Sequence, residues 1–272
     1  MSPAPAFPYD LIATDLDGTL LRRDGTISPR TRAALVDACA AGAAHIVVTG
    51  RAVPWVRPIL DDLGYEGLAV CGQGAQLYDA GTHRLLTSVT LDRMVARTAL
   101  EKIEAETGPL AVAASLDGLQ GAVLFERAFR TPADGLGVEY IDNRAELWSA
   151  PLGRLYIQHP TLSDDELTAV ATQAVGSLLS VVLAGHDTIE LLPQGLSKAT
   201  GLRLAARRLG LPGSSAIAFG DMPNDIPMFH WSGHGVAMGN AHAEVLAVAD
   251  EVTSSNEDDG IALVLERLLP AG

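Results

Sequence analysis

Two carboxylates two residues apart, Asp15 and Asp17, follow the apolar run Leu11 to Ala13 and precede the turn residue Gly18. Such a run reads as a buried strand, so the acids are delivered to its C-terminal end and, at a spacing of two, to the same face. That edge of an open α/β sheet is where ligands bind, and close carboxylates repel unless a cation or a shared proton relieves them. Asp17-Gly18 is also a common turn pair, so a plain hairpin is the competing reading. A calcium loop does not fit, because Thr19 and Leu20 stand where an EF-hand requires an acid and a glycine. A second apolar run, Ala216 to Phe219, delivers Gly220-Asp221-Met222-Pro223-Asn224-Asp225. Asp221 is the stronger candidate metal ligand and Asp225 its supporting partner, since hard oxygen donors suit magnesium. The alternative is a turn in which Asn224 caps the next helix. Lys198 follows Ser197 at a helix start, where the helix dipole disfavours a cation by about 0.3 to 1 kcal/mol. A nearby anion would explain it, and a solvated surface lysine is the alternative. Thr49-Gly50-Arg51 makes a further polar tip after an apolar run, although Thr49 could be only a β-branched strand residue. His186, His230, His234 and His242 lack metal-ligand spacing, and no Gly-x-Ser-x-Gly elbow, Walker loop or Cys-x-x-Cys pair is present.

The elements that must position these residues follow from the pattern. Ser28-Pro29 is an N-cap and a first-turn proline ahead of a helix that continues through Ala33 to Ala41. His45 to Thr49 reads as a strand, Trp55 to Leu63 as a helix and Gly67 to Cys71 as a strand, so the opening is β-α-β-α-β with parallel strands. Gly72-Gln73-Gly74 is better read as a tight turn than as a dinucleotide fingerprint, because Leu77 occupies the third glycine position. The pattern then changes. Gln76 to Tyr78 and Arg84 to Leu86 form a hairpin, Thr90 opens a helix over Leu91 to Thr107, and strands follow near Ala111 to Ser115 and Ala122 to Phe125. Thr131 to Pro151 reads as loop-rich. Arg154 to His159 is a strand, Ser163 to Glu166 spells a capping box into the helix Leu167 to Val175, and Leu179 to Ala184 and Ile189 to Leu192 are strands. The β-α alternation resumes with the helix Lys198 to Leu209, the strand Ala216 to Phe219 and helices near Ile226 to Phe229 and Ile261 to Leu269.

A chain of 272 residues can bury a large core. Its formal net charge of −14 argues against a nucleic-acid or anionic-membrane partner, and it opposes an anionic substrate unless the site's acids hold a divalent cation. Cys39 and Cys71 are too few for a disulfide framework, the apolar stretches are too short for a membrane span, and Met1 to Pro8 lacks signal-peptide character, so a cytoplasmic protein is expected.

Asp15-Leu16-Asp17-Gly18-Thr19, Thr49-Gly50-Arg51, Lys198 and Gly220-Asp221 to Asp225 occur in the order that resembles the haloacid dehalogenase-like hydrolase superfamily. Gly195-Leu196-Ser197-Lys198, Asn224-Asp225, Met238-Gly239-Asn240-Ala241 and Asp258-Asp259-Gly260 look like its Cof-type sugar-phosphatase branch. Two departures bear on the substrate: Gly72-Gln73-Gly74-Ala75 stands where that branch usually has Asn-Gly-Ala, and Leu246 stands where it often has a lysine. The resemblance implies a doubly wound, Rossmann-like α/β core, residues 1–85 and 190–272, with an inserted α+β cap over 86–189. It implies magnesium-dependent hydrolysis of a small phosphomonoester, with Asp15 as nucleophile and Asp17 as general acid and base. Magnesium would be held by the Asp15 carboxylate, the Asp17 main-chain carbonyl and Asp221, with Asp225 orienting the metal shell. Thr49, Gly50, Lys198 and Asn224 would bind substrate, Asn224 by orienting Lys198 or the phosphate. A phosphosugar mutase of the same fold and a non-catalytic sugar-phosphate binder are the competing readings.

Overall fold

The structure, a computed structural model, describes residues 7–130, 138–185 and 187–269. In chain order its first elements are β1 (Leu11–Thr14), α1 (Pro29–Ala40), β2 (Ala44–Val48), α2 (Val53–Leu63), β3 (Leu68–Cys71), β4 (Gln76–Asp79) and β5 (Arg84–Ser88). Then come α3 (Arg93–Thr107), β6 (Ala111–Leu116), β7 (Val123–Glu126), β8 (Val138–Ile141), β9 (Leu152–Gln158), α4 (Asp164–Val175), β10 (Leu179–Gly185) and β11 (Thr188–Pro193). The last are α5 (Lys198–Leu209), β12 (Ala216–Gly220), α6 (Ile226–Trp231), β13 (His234–Ala237), α7 (Ala243–Val248), β14 (Glu251–Val252) and α8 (Gly260–Leu268).

β1 lies inside an eight-stranded sheet of order β14-β13-β12-β1-β2-β3-β4-β5. The six strands from β14 to β3 run parallel, and the β4-β5 hairpin adds an antiparallel edge. Both faces are covered, as a parallel sheet requires. Ile12 packs with α1, α2 and α8 on one side, while Leu11 and Ala13 meet α5 and α6 on the other, the two-residue alternation of a strand. The doubly wound α/β core expected from the sequence is therefore present. β6 to β11 form a second, six-stranded sheet of order β10-β11-β9-β6-β7-β8, backed by α3 and α4 around its own apolar cluster. β11 pairs with β10 and β9 in this sheet, so the inserted layer runs through Pro193, past the division expected at residue 190. No helix among the described residues is long and apolar enough to cross a membrane.

Local chemistry explains several helix starts. Ser28 Oγ accepts from Thr31 N at 2.9 Å with Pro29 in the first turn, and Ser163 and Glu166 close the capping box of α4. α3 begins two residues later than expected. Asp92, not Thr90, is its cap, because the Asp92 carboxylate takes both Met94 N and Val95 N while Leu91 N is bound to Leu152 O. Of the loop-rich passage, 131–137 lie outside the described residues, as does His186, and Val138–Ile141 form an added strand. β13, β14 and α7, of four, two and six residues, were not anticipated.

α5 lies unusually close to the turn after β3. A Cβ on Gly201 would sit 2.5 Å from Val70 Cγ1 and 2.7 Å from Gly74 Cα, and one on Gly74 would sit 2.1 Å from Ser197 O. This contact seats the helix that begins at Lys198. Alanine is favoured over glycine in a helix interior by about 1 kcal/mol, yet Gly201→Ala is expected to destabilise by about 1 to 3 kcal/mol through overpacking. A lower urea midpoint at unchanged slope is the expected reading, and a raised midpoint would contradict the close approach.

Candidate active site

The parallel strands bring the polar tips to one edge. Asp15 N donates to Phe219 O at 3.0 Å, so the first acid is pinned beside the end of β12, from which the Asp221 loop departs. Lys198, the first residue of α5, reaches into this edge and donates from Nζ to Asp15 Oδ1 at 2.6 Å and Asp225 Oδ1 at 2.7 Å. It is only 2% exposed, so it is not a surface lysine. Asp225 Oδ2 accepts from Asp221 N and Met222 N, both at 3.0 Å, and thereby shapes the loop that presents Asp221. Thr19 Oγ1 donates to Asp221 Oδ1 at 3.2 Å. Gly18, at φ 75°, must be glycine: a Cβ there would lie 2.3 Å from Asp221 Oδ2. Asp17-Gly18 is thus a turn, but one wrapped around Asp221, with Asn240 Nδ2 bound to Gly18 O at 2.8 Å.

Burying these acids leaves a charge to be neutralised. Burial above all, then the Asp225, Asp221 and Asp17 carboxylates, pushes Asp15 well above the usual carboxylate range, against the pull of Lys198. Burial and then Asp225 push Asp221 up to about 7, again with Lys198 opposing. Burial works against the Lys198 ammonium, but Asp15 and Asp225 outweigh it and hold its pKa above the ordinary value. Asp15, Asp221 and Asp225 each bring one carboxylate oxygen within 4.8 Å of the others. An all-oxygen set of this kind fits a hard divalent cation, which would relieve the acids more fully than one lysine can. Both Asp225 oxygens already hold donors, so Asp15 and Asp221 are the acids free to face a cation.

The other expected residues are placed differently. β1 ends at Thr14, so Asp17 stands on the following turn and strand alternation does not aim it. Arg51 does. Its Nε and Nη2 grip the two Asp17 oxygens at 2.8 and 2.5 Å, a paired contact whose only trace in the sequence was the Thr49-Gly50-Arg51 tip. Thr49 is buried and its Oγ1 accepts from Arg51 N at 3.0 Å, which fixes that tip. A Cβ on Gly50 would lie 2.7 Å from Gln73 Nε2, so glycine makes room for the glutamine. Asn224, expected to orient Lys198 or the phosphate, instead donates from Nδ2 to Gln73 Oε1 at 3.1 Å. Gln73 itself sits in the left-handed region at φ 58° within the expected tight turn. Asp15, Asp17, Gly50, Arg51, Gln73, Lys198 and Asn224 line a cavity of about 160 Å³, completed by Trp55, Met222 and two residues of the second sheet, Tyr156 and Glu190. The last two gave no signal in the sequence. Glu190 is paired with Arg154 Nη1 at 2.8 Å, and both are buried.

The family model of haloacid dehalogenase-like hydrolases matches residues 12–265, and the chain belongs to that family. Within it the chain falls in the Cof-type branch, with a second sheet inserted in the core. It is 29% identical to Phosphatase YwpJ of Bacillus subtilis (strain 168), over 95% of this chain and 99% of the relative. It is 27% identical to the 5-amino-6-(5-phospho-D-ribitylamino)uracil phosphatase YwtE of the same organism, over 95% of this chain and 97% of that one. A solved haloacid dehalogenase-like hydrolase from B. subtilis superimposes with a TM-score of 0.81 at 26% identity, covering 96% of this chain and all of the other.

Asp225 anchors the cluster without needing to touch a substrate. Asp225→Ala would leave Lys198 with one carboxylate and two loop amides without an acceptor, and is expected to cost about 3 kcal/mol. Urea denaturation would measure it, and a loss below about 1 kcal/mol would mean that the loop holds its shape by other means.

Proposed function

We propose that this hydrolase is a magnesium-dependent phosphatase of small phosphomonoesters, working through an aspartyl phosphate on Asp15. One observation carries the reading: a buried lysine is paired with a buried aspartate, and a second aspartate, clamped by an arginine, faces the same small cavity. Asp15 attacks phosphorus in line and the ester oxygen leaves. Asp17 gives that oxygen a proton and then takes one from the water that hydrolyses the aspartyl phosphate. The Arg51 pair holds Asp17 at the cavity as the carboxylate that takes the water's proton; for the first transfer one of its two oxygens must leave the guanidinium to carry the proton. Lys198 and the Thr49 hydroxyl bind the remaining phosphoryl oxygens, and the Lys198 ammonium balances their charge. The Asp15 and Asp221 carboxylates and the Asp17 carbonyl would hold magnesium, whose positive charge would let an anionic nucleophile approach a phosphate dianion. Asp225 acts through Lys198 and the Asp221 loop, and Gly50 and Asn224 set the position of Gln73 at the cavity wall. The named phosphatase relatives, one of them acting on a phosphorylated ribitylaminouracil, support a small metabolite as substrate.

Release of phosphate from p-nitrophenyl phosphate is expected to require magnesium, and activity that survives a chelator would refute the metal. Asp15→Asn is expected to abolish turnover with the fold retained by circular dichroism, because it removes the nucleophile at nearly constant volume. Wild-type rates in that variant would exclude Asp15 as the attacking group.

Asp17→Asn separates the two steps. p-Nitrophenolate leaves without a proton, whereas a sugar alkoxide does not, so the first step should suffer far more with sugar phosphates. With excess p-nitrophenyl phosphate the variant should give a burst of at most one equivalent, then slow turnover while phosphate stays on Asp15. Rapid quench and mass spectrometry would detect the adduct. Equal losses on both substrates with no burst would assign Asp17 to structure.

A further inference from the structure

The start of α2 is poorly served by its own sequence. Ala52, at the cap position, has no side chain that can accept a hydrogen bond, and Pro54 has no N–H to offer. Trp55 N and Val56 N both turn back to Ala52 O, at 3.0 and 3.2 Å, which leaves Val53 N as the first-turn donor without a local partner. Val53 is fully buried, so water does not supply one. The acceptor comes from another strand: Gln76 Oε1 takes Val53 N at 3.0 Å. Gln76 lies on the same face of β4 as Tyr78, which shares an apolar cluster with Val53, Val56 and Leu60 of α2.

The other end of the same amide is held as well. Gln76 Nε2 donates to Asp117 Oδ1 at 3.4 Å, and Ser88, opposite Gln76 on β5, donates from Oγ to the same oxygen. Asp117 directly follows β6 of the inserted sheet. A carboxylate on one side and a backbone N–H on the other permit one orientation of the amide. Gln76 therefore bridges the inserted sheet and the first turn of α2.

Arg51 stands two residues before Val53. Thr49 Oγ1 holds its N–H and Gly72 N holds its carbonyl, and Gln76 holds the chain just beyond it. The side chains of the Arg51–Asp17 pair are 36% and 52% exposed, so close packing does not aim the guanidinium. Its aim is set by the backbone it leaves from. A small displacement there is carried along the side chain to both hydrogen bonds with Asp17.

Building on the phosphatase reading, we infer that Gln76 is a positioning residue for Asp17: by capping α2 it keeps Arg51 aimed at the Asp17 carboxylate, and Asp117 keeps Gln76 in place. The step this serves is the second one, in which water attacks phosphorus, Asp15 leaves as a carboxylate and Asp17 takes the water's proton.

The test uses saturating p-nitrophenyl phosphate with the magnesium-loaded enzyme. The fraction of enzyme held as aspartyl phosphate in acid-quenched samples, taken with kcat, gives the rate of each step. Gln76→Met keeps the length of the side chain and removes its amide. It is expected to slow the second step about tenfold and the first less than about threefold, because a small misplacement of a proton acceptor is costly. The phosphoenzyme fraction then rises while kcat/KM stays nearly unchanged. Loss of folded enzyme would instead lower both together. Asp117→Ala is expected to slow the second step about threefold, and Asp117→Asn, which keeps an acceptor oxygen, to leave it at the wild-type rate. In an Arg51→Met background Gln76→Met should add nothing, because the grip it serves is already gone. A wild-type second step in Gln76→Met, or a loss undiminished in the Arg51→Met background, would overturn this inference and leave the phosphatase reading standing. Should Gln76→Met fail to fold, a wild-type second step in Asp117→Ala would do the same. Absence of both turnover and phosphoenzyme in the wild type would overturn both readings.

Discussion

Everything at this site depends on keeping three aspartates out of water around one ammonium. Asp15, Asp221 and Asp225 are all buried, and Lys198 bonds two of them. Isolated carboxylates would neutralise in such surroundings, and breaking a buried charge pair is far costlier than never forming it. The fold is therefore obliged to place the lysine with small error. It does so by starting α5 at that residue, capping the helix through Ser197 and Thr200, and pressing Gly201 against Gly74. The dipole penalty of a cation at a helix start is small beside two charged hydrogen bonds.

The same constraint explains the local geometry of the acids. Gly18 takes a left-handed turn that leaves no room for a side chain beside Asp221, and Asp225 spends its second oxygen on the amides of the loop it terminates. The Asp17 carboxylate is half exposed and belongs to a different regime, held by a guanidinium rather than by burial. The two acids of the Asp15-Leu16-Asp17 stretch thus differ because one is desolvated and the other is clamped.

Much of this was legible in the chain. An apolar run ending in acids identifies a strand end, and a lysine after a serine cap is conspicuous because local physics disfavours it. The α5 bounds, Lys198 to Leu209, follow directly from those cues. What could not be read are partnerships made across the fold. Arg51 with Asp17, Asn224 with Gln73, and Arg154 with Glu190 are 34, 151 and 36 residues apart, and no periodicity links them. The Gln73 position depends further on a left-handed backbone that a glutamine rarely adopts. β13 and β14 escaped for a simpler reason: His-Gly-Val-Ala and Glu-Val hold no apolar run like those of β1 and β3.

The path of β11 gives the molecule a geometric rule. That strand belongs to the inserted sheet and ends at Pro193, and the next helix opens on Lys198, so only residues 194–197 separate the sheet from the buried lysine. On the entering side, residues 89–92 alone link β5 to α3. A trans chain spans at most about 3.3 to 3.6 Å per residue, so each tether reaches roughly 15 Å when pulled straight. Two leashes that short limit how far the inserted sheet can translate from the core. The line joining them has one end beside Lys198, so any rotation of the sheet about it would leave the lysine nearly in place.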